Sequence, residues 1–100
     1  MAEFKKILNK SQLKIGTGQT VELEGQQIAV FNVEGQFYAI SNICAHRGGP
    51  LGDGDLSGKV VTCPWHGWTF DVTSGCATHT AAQVRTYPLK VEGEDILVSL

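Results

Sequence analysis

The sequence has few cysteines, little positive charge and no long apolar run. Its three cysteines cannot all be paired, which argues against a disulfide-stapled scaffold. Eight basic residues stand against ten acidic ones, and the net charge of −2 argues against a nucleic-acid-binding surface. No apolar segment approaches the about 20 residues that a membrane-spanning helix needs. We therefore expect neither nucleic acid nor a membrane among the partners.

Sustained helical periodicity is also missing from the chain. One hundred residues provide a single hydrophobic core, so we predict one domain over residues 1–100. The first residues lack the apolar stretch of a secretory signal. We therefore expect a cytoplasmic protein.

Short β-like segments separated by glycine-bearing turns fill both ends of the chain, as is typical of a sandwich or barrel. Two similar Glu-Gly turns stand at 24–25 and 34–35. The predicted strands cover 4–8, 21–24, 28–33, 37–40, 59–62, 68–71, 84–89 and 96–100. We predict an all-β fold with an antiparallel base from 1–40 and 83–100, and a metal-binding insert at 41–82. The insert's apolar residues are scattered, so we expect it to have little core of its own.

Two short Cys/His pairs dominate the insert. Cys44-Ala45-His46 is followed, after sixteen residues, by Cys63-Pro64-Trp65-His66. Two such pairs in so short a chain indicate a metal site. Two thiolates and two imidazoles suit a tetrahedral zinc ion, or a 2Fe–2S cluster with both cysteines on one iron and both histidines on the other.

The residues around these pairs resemble the Rieske family signature. The first pair continues as Arg47-Gly48-Gly49-Pro50-Leu51, and the second as Gly67-Trp68-Thr69-Phe70. The whole chain is similar to the Rieske-type ferredoxins of multicomponent aromatic-ring oxygenases. The resemblance implies the Rieske fold and one 2Fe–2S cluster. It carries the ligand roles over to four residues: Cys44, His46, Cys63 and His66.

Three glycines stand beside the predicted ligands. Cluster sulfides accept hydrogen bonds from backbone N–H groups, and glycine permits a close approach because it has no Cβ. We therefore predict that Gly48, Gly49 and Gly67 wrap the cluster. For Gly48 and Gly49 the alternative is an ordinary turn.

Respiratory members of the family differ from this chain in both loops. They carry a disulfide between the loops, where this chain has Gly49 and Trp65, and Ser and Tyr hydroxyls where it has Trp68 and Phe70. Fewer donors stabilise the reduced, more negative cluster less. We therefore predict a low reduction potential, at the oxygenase-ferredoxin end of the family.

Other polar and aromatic residues of the insert have no predicted ligand role. Arg47 and Trp65 adjoin ligands and are predicted to form a docking face, with a solvated charge and plain packing as the alternatives. Trp68 is expected to pack as well as to adjoin the cluster. Cys76 and His79 are expected to be exposed loop residues.

The resemblance implies a one-electron carrier rather than an enzyme. As a monomer, it would take electrons from an NAD(P)H-dependent reductase and pass them to a terminal non-haem iron oxygenase. Two alternatives remain open from the sequence. One is the small Rieske subunit of a nitrite reductase-type complex, and the other is a zinc-stapled interaction module.

Overall fold

The computed structural model describes residues 4–43, 50–65 and 67–99. Apart from two 3₁₀ turns, the regular structure of these residues is β-strand. The strands are β1 (Phe4–Asn9), β2 (Gly18–Leu23), β3 (Gln26–Val33), β4 (Gln36–Ser41), β5 (Asp55–Ser57), β6 (Val60–Thr62), β7 (Thr69–Asp71), β8 (Thr86–Tyr87), β9 (Leu89–Glu92) and β10 (Asp95–Ser99). The predicted all-β class is confirmed. In these ranges no helix is long and apolar enough to cross a membrane.

The strands form three antiparallel sheets. Their orders are β1-β10-β9, β2-β3-β4-β8 and β5-β6-β7. In the central sheet, the two predicted Glu-Gly turns join β2 to β3 and β3 to β4. Glu24 and Glu34 have φ of 50° and 53°, and the glycines that follow have φ of 81° and 92°. Positive φ at both central residues is the geometry of a two-residue hairpin turn that matches the twist of the strands.

Strand β3 is buried on both faces and separates two apolar clusters. Ile28 and Val30 point into a cluster with residues of β1 and β10, such as Leu8 and Ile96. Ala29 and Phe31 point the other way. Because successive side chains of a strand alternate between faces, one short segment contributes to both cores. The central sheet is therefore the middle layer of three.

The second apolar cluster includes residues of the insert. Leu51, Val61, Phe70 and Val72 are each at most 1% exposed, and they pack on the β3 face that carries Phe31. The segment 41–82 thus contributes strongly to a core, which it shares with the central sheet. These residues are scattered in sequence but adjacent in space, and they are buried together with residues of the central sheet. The expectation that the insert has little core of its own stays a prediction.

The predicted strands differ from the observed strands in two places. Strand β5 was not predicted, and the predicted strand 84–89 is broken. Thr86–Tyr87 pairs with β4, whereas Leu89–Glu92 pairs with β10. Pro88 lies between them, and its carbonyl accepts a hydrogen bond from the Ser99 amide at 3.0 Å. Proline cannot donate to a ladder, so the chain changes sheets there.

Candidate metal centre

The ends of the first Cys/His loop are fixed against the central sheet. Ile43 and Pro50 form an isolated antiparallel bridge, and the Leu51 amide donates to the Asn42 carbonyl at 2.8 Å. The loop between them spans 44–49 and lies outside the described residues. The predicted ligands, glycines and docking residue of this loop therefore also lie outside the described residues: Cys44, His46, Arg47, Gly48 and Gly49.

The second Cys/His loop is the turn of the β6–β7 hairpin. Thr62 pairs with Thr69, and the Cys63 amide then donates to the Trp68 carbonyl at 2.7 Å. Cys63 is 1% exposed and belongs to the cluster around Phe31. The hairpin therefore holds this thiol at the boundary between the core and the loop. His66 lies outside the described part of the chain.

The described residues and the donor set fit a 2Fe–2S cluster. A buried sulfur at a hairpin turn is a rigid thiolate donor. It is one of two predicted thiolates, which come with two predicted imidazoles, the mixed set that Rieske centres use. Between residues 4–43, 50–65 and 67–99, no group of three His, Cys, Asp or Glu side chains is placed to hold a metal ion. The described residues thus offer no competing site, and Cys63 is the one predicted ligand among them.

The residues around the second loop have distinct environments. Gly67 has a φ of 75°, a region that side-chain-bearing residues rarely adopt, and a Cβ there would have no atom within 4 Å. The positive φ by itself favours glycine at this position, and the predicted cluster-wrapping role of Gly67 stays a prediction. Trp65 is 51% exposed, whereas Phe70 is completely buried. Trp68 is half-buried, and its ring centroid lies 6.4 Å from that of Phe70.

The segment after β7 packs back onto that strand. The Thr78 amide donates to the Thr69 carbonyl at 3.0 Å, and the two hydroxyls contact each other. His79 is exposed, as expected, but its ring meets the Trp68 ring edge-on at 4.8 Å. Cys76 is an exposed free thiol. The Trp68–His79 contact was not predicted, because no sequence pattern links residues eleven positions apart in two loops.

Asp71 organises the start of this segment. Its Oδ1 accepts hydrogen bonds from the Thr73 amide at 2.8 Å and the Thr73 hydroxyl at 2.6 Å. The Lys59 ammonium lies 3.5 Å from Oδ2. Burial raises the pKa of Asp71, but the Thr73 hydrogen bonds and the Lys59 charge outweigh it and hold that pKa below its usual value of 3.8.

The chain belongs to the Rieske [2Fe-2S] domain family, whose sequence model matches residues 3–88. The protein therefore carries a Rieske-type 2Fe–2S cluster. This family membership favours iron–sulfur over structural zinc, the alternative that the ligand types left open.

Comparison with individual proteins shows which kind of Rieske protein this chain resembles. The chain is 40% identical over 83 residues to the ferredoxin component of the naphthalene 1,2-dioxygenase system of Pseudomonas aeruginosa, with 80% of this chain and 79% of the relative covered. The ferredoxin of carbazole 1,9a-dioxygenase from Nocardioides aromaticivorans IC177 has the same fold, with a TM-score of 0.89, 31% identity and 95% of each chain covered. A chain in the complex of reduced oxygenase and oxidized ferredoxin of carbazole 1,9a-dioxygenase also has a TM-score of 0.89, with 29% identity, covering 96% of this chain and 92% of that one.

Proposed function

We propose that this protein is the ferredoxin component of an aromatic-ring dioxygenase system. The carrying observation is the 40% identity to a naphthalene dioxygenase ferredoxin over about four-fifths of both chains. Because the similarity covers about four-fifths of a small electron carrier, we extend the carrier role to this chain. The protein is an electron-transfer component and not the oxygenase itself. The similar chains serve naphthalene and carbazole systems, so the ferredoxin alone does not define the aromatic substrate.

We propose that the cluster-binding insert is 41–82 and that Cys44, His46, Cys63 and His66 hold the cluster. When bound, the cluster supplies reversible one-electron redox chemistry. Replacing any of the four by Ala should abolish the visible spectrum and the low-temperature EPR signal of the reduced protein. Cys76→Ser is the matched control, because Cys76 is an exposed thiol with no assigned ligand role. Loss of the cluster in this control would contradict the assignment.

The partners we propose are an NAD(P)H-dependent reductase as donor and a terminal oxygenase as acceptor. A structure of an oxygenase with a ferredoxin similar to this chain supports the acceptor. A cytoplasmic, monomeric carrier fits this role, and the exposed thiol of Cys76 fits a reducing compartment.

The test of the carrier role mixes dithionite-reduced protein, freed of dithionite and oxygen, with the oxidised terminal oxygenase of a naphthalene dioxygenase system. Visible absorbance should show reoxidation with one electron delivered per chain. If the protein is not reoxidised, and if it purifies from its source with a flavin- and sirohaem-containing subunit, the nitrite reductase alternative replaces this proposal.

We propose that the docking face surrounds the two Cys/His loops and includes Trp65 and Arg47. Trp65 supports this, because a large side chain that is 51% exposed beside a ligand position can be buried against a partner. Ile43, 47% exposed at the start of the first loop, adds apolar surface there. Trp65→Ala should leave the spectrum unchanged and slow electron transfer to the oxygenase. Ile15→Ala is the control, since Ile15 is 69% exposed but lies far along the chain from both loops. Equal slowing by both changes would contradict this face.

A further inference from the structure

Asn42 is a buried polar residue at the junction between the central sheet and the first Cys/His loop. It is 2% exposed. Its Oδ1 accepts from the Gly52 amide at 2.6 Å and from the Thr20 hydroxyl at 3.1 Å. Its Nδ2 donates to Gln27 Oε1 at 3.1 Å. A buried side-chain amide with both ends bonded has one orientation, because any other would leave polar atoms without partners.

These bonds join the two ends of the loop that carries Cys44 and His46. Asn42 precedes the loop and Gly52 follows it, while the backbone of Asn42 bonds to Gln27 on one side and Leu51 on the other. Gly52 has no room for a side chain, because a Cβ there would lie 2.9 Å from Asn42 Oδ1. The Asn42 side chain therefore adds to the Ile43–Pro50 bridge and the Leu51–Asn42 backbone bond in holding the loop ends together, before any ligand bond contributes.

A second buried asparagine, Asn32, also joins two separate segments of the chain by side-chain hydrogen bonds. Asn32 is 5% exposed, its Nδ2 donates to the Leu13 carbonyl at 2.9 Å, and its Oδ1 accepts from the Gly35 amide at 2.8 Å. It ties the β3–β4 turn to the segment before β2. The Asn32 side chain forms these two hydrogen bonds and that of Asn42 forms three, but only Asn42 adjoins a Cys/His loop. The molecule thus contains its own matched control.

We propose that Asn42 is the positioning residue of the first cluster loop, an inference that rests on the proposed ligand roles of Cys44 and His46. Holding the loop ends together removes closure entropy that ligand binding would otherwise have to overcome. Without the Asn42 amide, the loop ends separate more easily and the first two ligands leave the cluster together. The expected signature is faster cluster loss and an altered ligand geometry, beyond what general destabilisation produces.

The test compares holoprotein of Asn42→Ala and Asn32→Ala. Denaturant unfolding gives the loss of stability in each variant, since Asn42→Ala removes three side-chain hydrogen bonds and Asn32→Ala removes two. Beyond the factor that this difference in stability explains, bleaching of the visible spectrum by excess chelator should be at least about tenfold faster in Asn42→Ala than in Asn32→Ala, the factor that corresponds to roughly one net hydrogen bond. The EPR g-values of the reduced cluster should shift in Asn42→Ala only. Equal bleaching rates and equal g-values in the two variants would overturn the proposal.

A milder pair covers the case in which Asn42→Ala does not fold. Gln27 is exposed and accepts from Asn42 Nδ2, while its neighbour Gln26 accepts from the Tyr87 hydroxyl at 2.9 Å and not from Asn42. Gln27→Ala should bleach faster than Gln26→Ala, and equal rates would overturn the proposal. Retention of the cluster in Cys44→Ala would instead contradict the ligand assignment, so the two failures are distinguishable.

Discussion

Phe70→Tyr should raise the reduction potential of the cluster. Phe70 is completely buried and pairs with Val61, which shares the buried face of its strand with Cys63 two residues later. Both Phe70 and Cys63 belong to the same cluster of side chains, whose other members are apolar. A phenol at this position therefore adds a hydroxyl to the buried face that carries the Cys63 sulfur.

The size of the effect follows from the energy of one hydrogen bond. A hydrogen bond to a charged acceptor contributes roughly 1.5–3 kcal/mol. Only the part that favours the reduced, more negative state moves the potential. If that part is about half, the gain of roughly 0.7–1.5 kcal/mol corresponds to about 30–65 mV for one electron. A hydroxyl without an acceptor would instead cost about 1–3 kcal/mol of stability.

The assay is a spectroscopic redox titration of wild type, Phe70→Tyr and the control Phe31→Tyr. Phe31 is also completely buried in the same cluster of side chains, but it lies on β3 rather than in the hairpin that presents Cys63. The control should lose stability with no change in potential. If Phe70→Tyr keeps its cluster and its potential stays within about 10 mV of wild type, the donor explanation for a low potential is refuted.

Three further predictions concern the stability of the fold. Glu34→Asn should stabilise the protein by about 0.5–1 kcal/mol in denaturant unfolding, since asparagine tolerates the left-handed conformation, whereas Glu22→Asn on an extended strand should give no gain. The stability advantage of wild type over Asp71→Asn should be full above about pH 5 and should be lost as the pH falls through the lowered folded pKa of Asp71; an advantage unchanged down to pH 2 would contradict this sign. A double-mutant cycle of Trp68→Ala and His79→Ala should give a coupling of about 0.5 kcal/mol by thermal unfolding, the low end for an aromatic pair because His79 is exposed, and a coupling of zero would contradict the contact.

Local sequence signals predicted the hairpins well. The turns at 24–25 and 34–35 each place a glycine where φ is positive, and both form as predicted. The short strand β5 was missed because Asp55-Leu56-Ser57 has a single apolar residue and is defined by its pairing with β6. Pairing partners distant in sequence leave little trace in a three-residue segment.

The ligand types of the candidate site could be predicted from the sequence, whereas the hydrogen bonds at the base of its first loop could not. The ligand types and their spacing indicated a metal site, either zinc or iron–sulfur, and the resemblance to the Rieske family indicated the 2Fe–2S cluster. The proposed role of Asn42 could not be inferred from the sequence, since a single asparagine just after a strand has no periodic signal. Its partners Thr20 and Gly52 come from segments before and after it, 22 and 10 residues away.

The two Cys/His loops are held at their bases by different kinds of hydrogen bond. The second loop is the turn of a β-hairpin, so a ladder of backbone bonds ending at the Cys63 amide holds it. The first loop joins a strand to a 3₁₀ turn, with one isolated bridge and the Asn42 side chain at its base. Most side-chain substitutions leave a ladder of backbone hydrogen bonds intact, whereas a substitution of Asn42 removes the bonds of its side-chain amide. We therefore expect a single substitution to weaken the base of the first loop more than that of the second, although the same chemistry is expected of both.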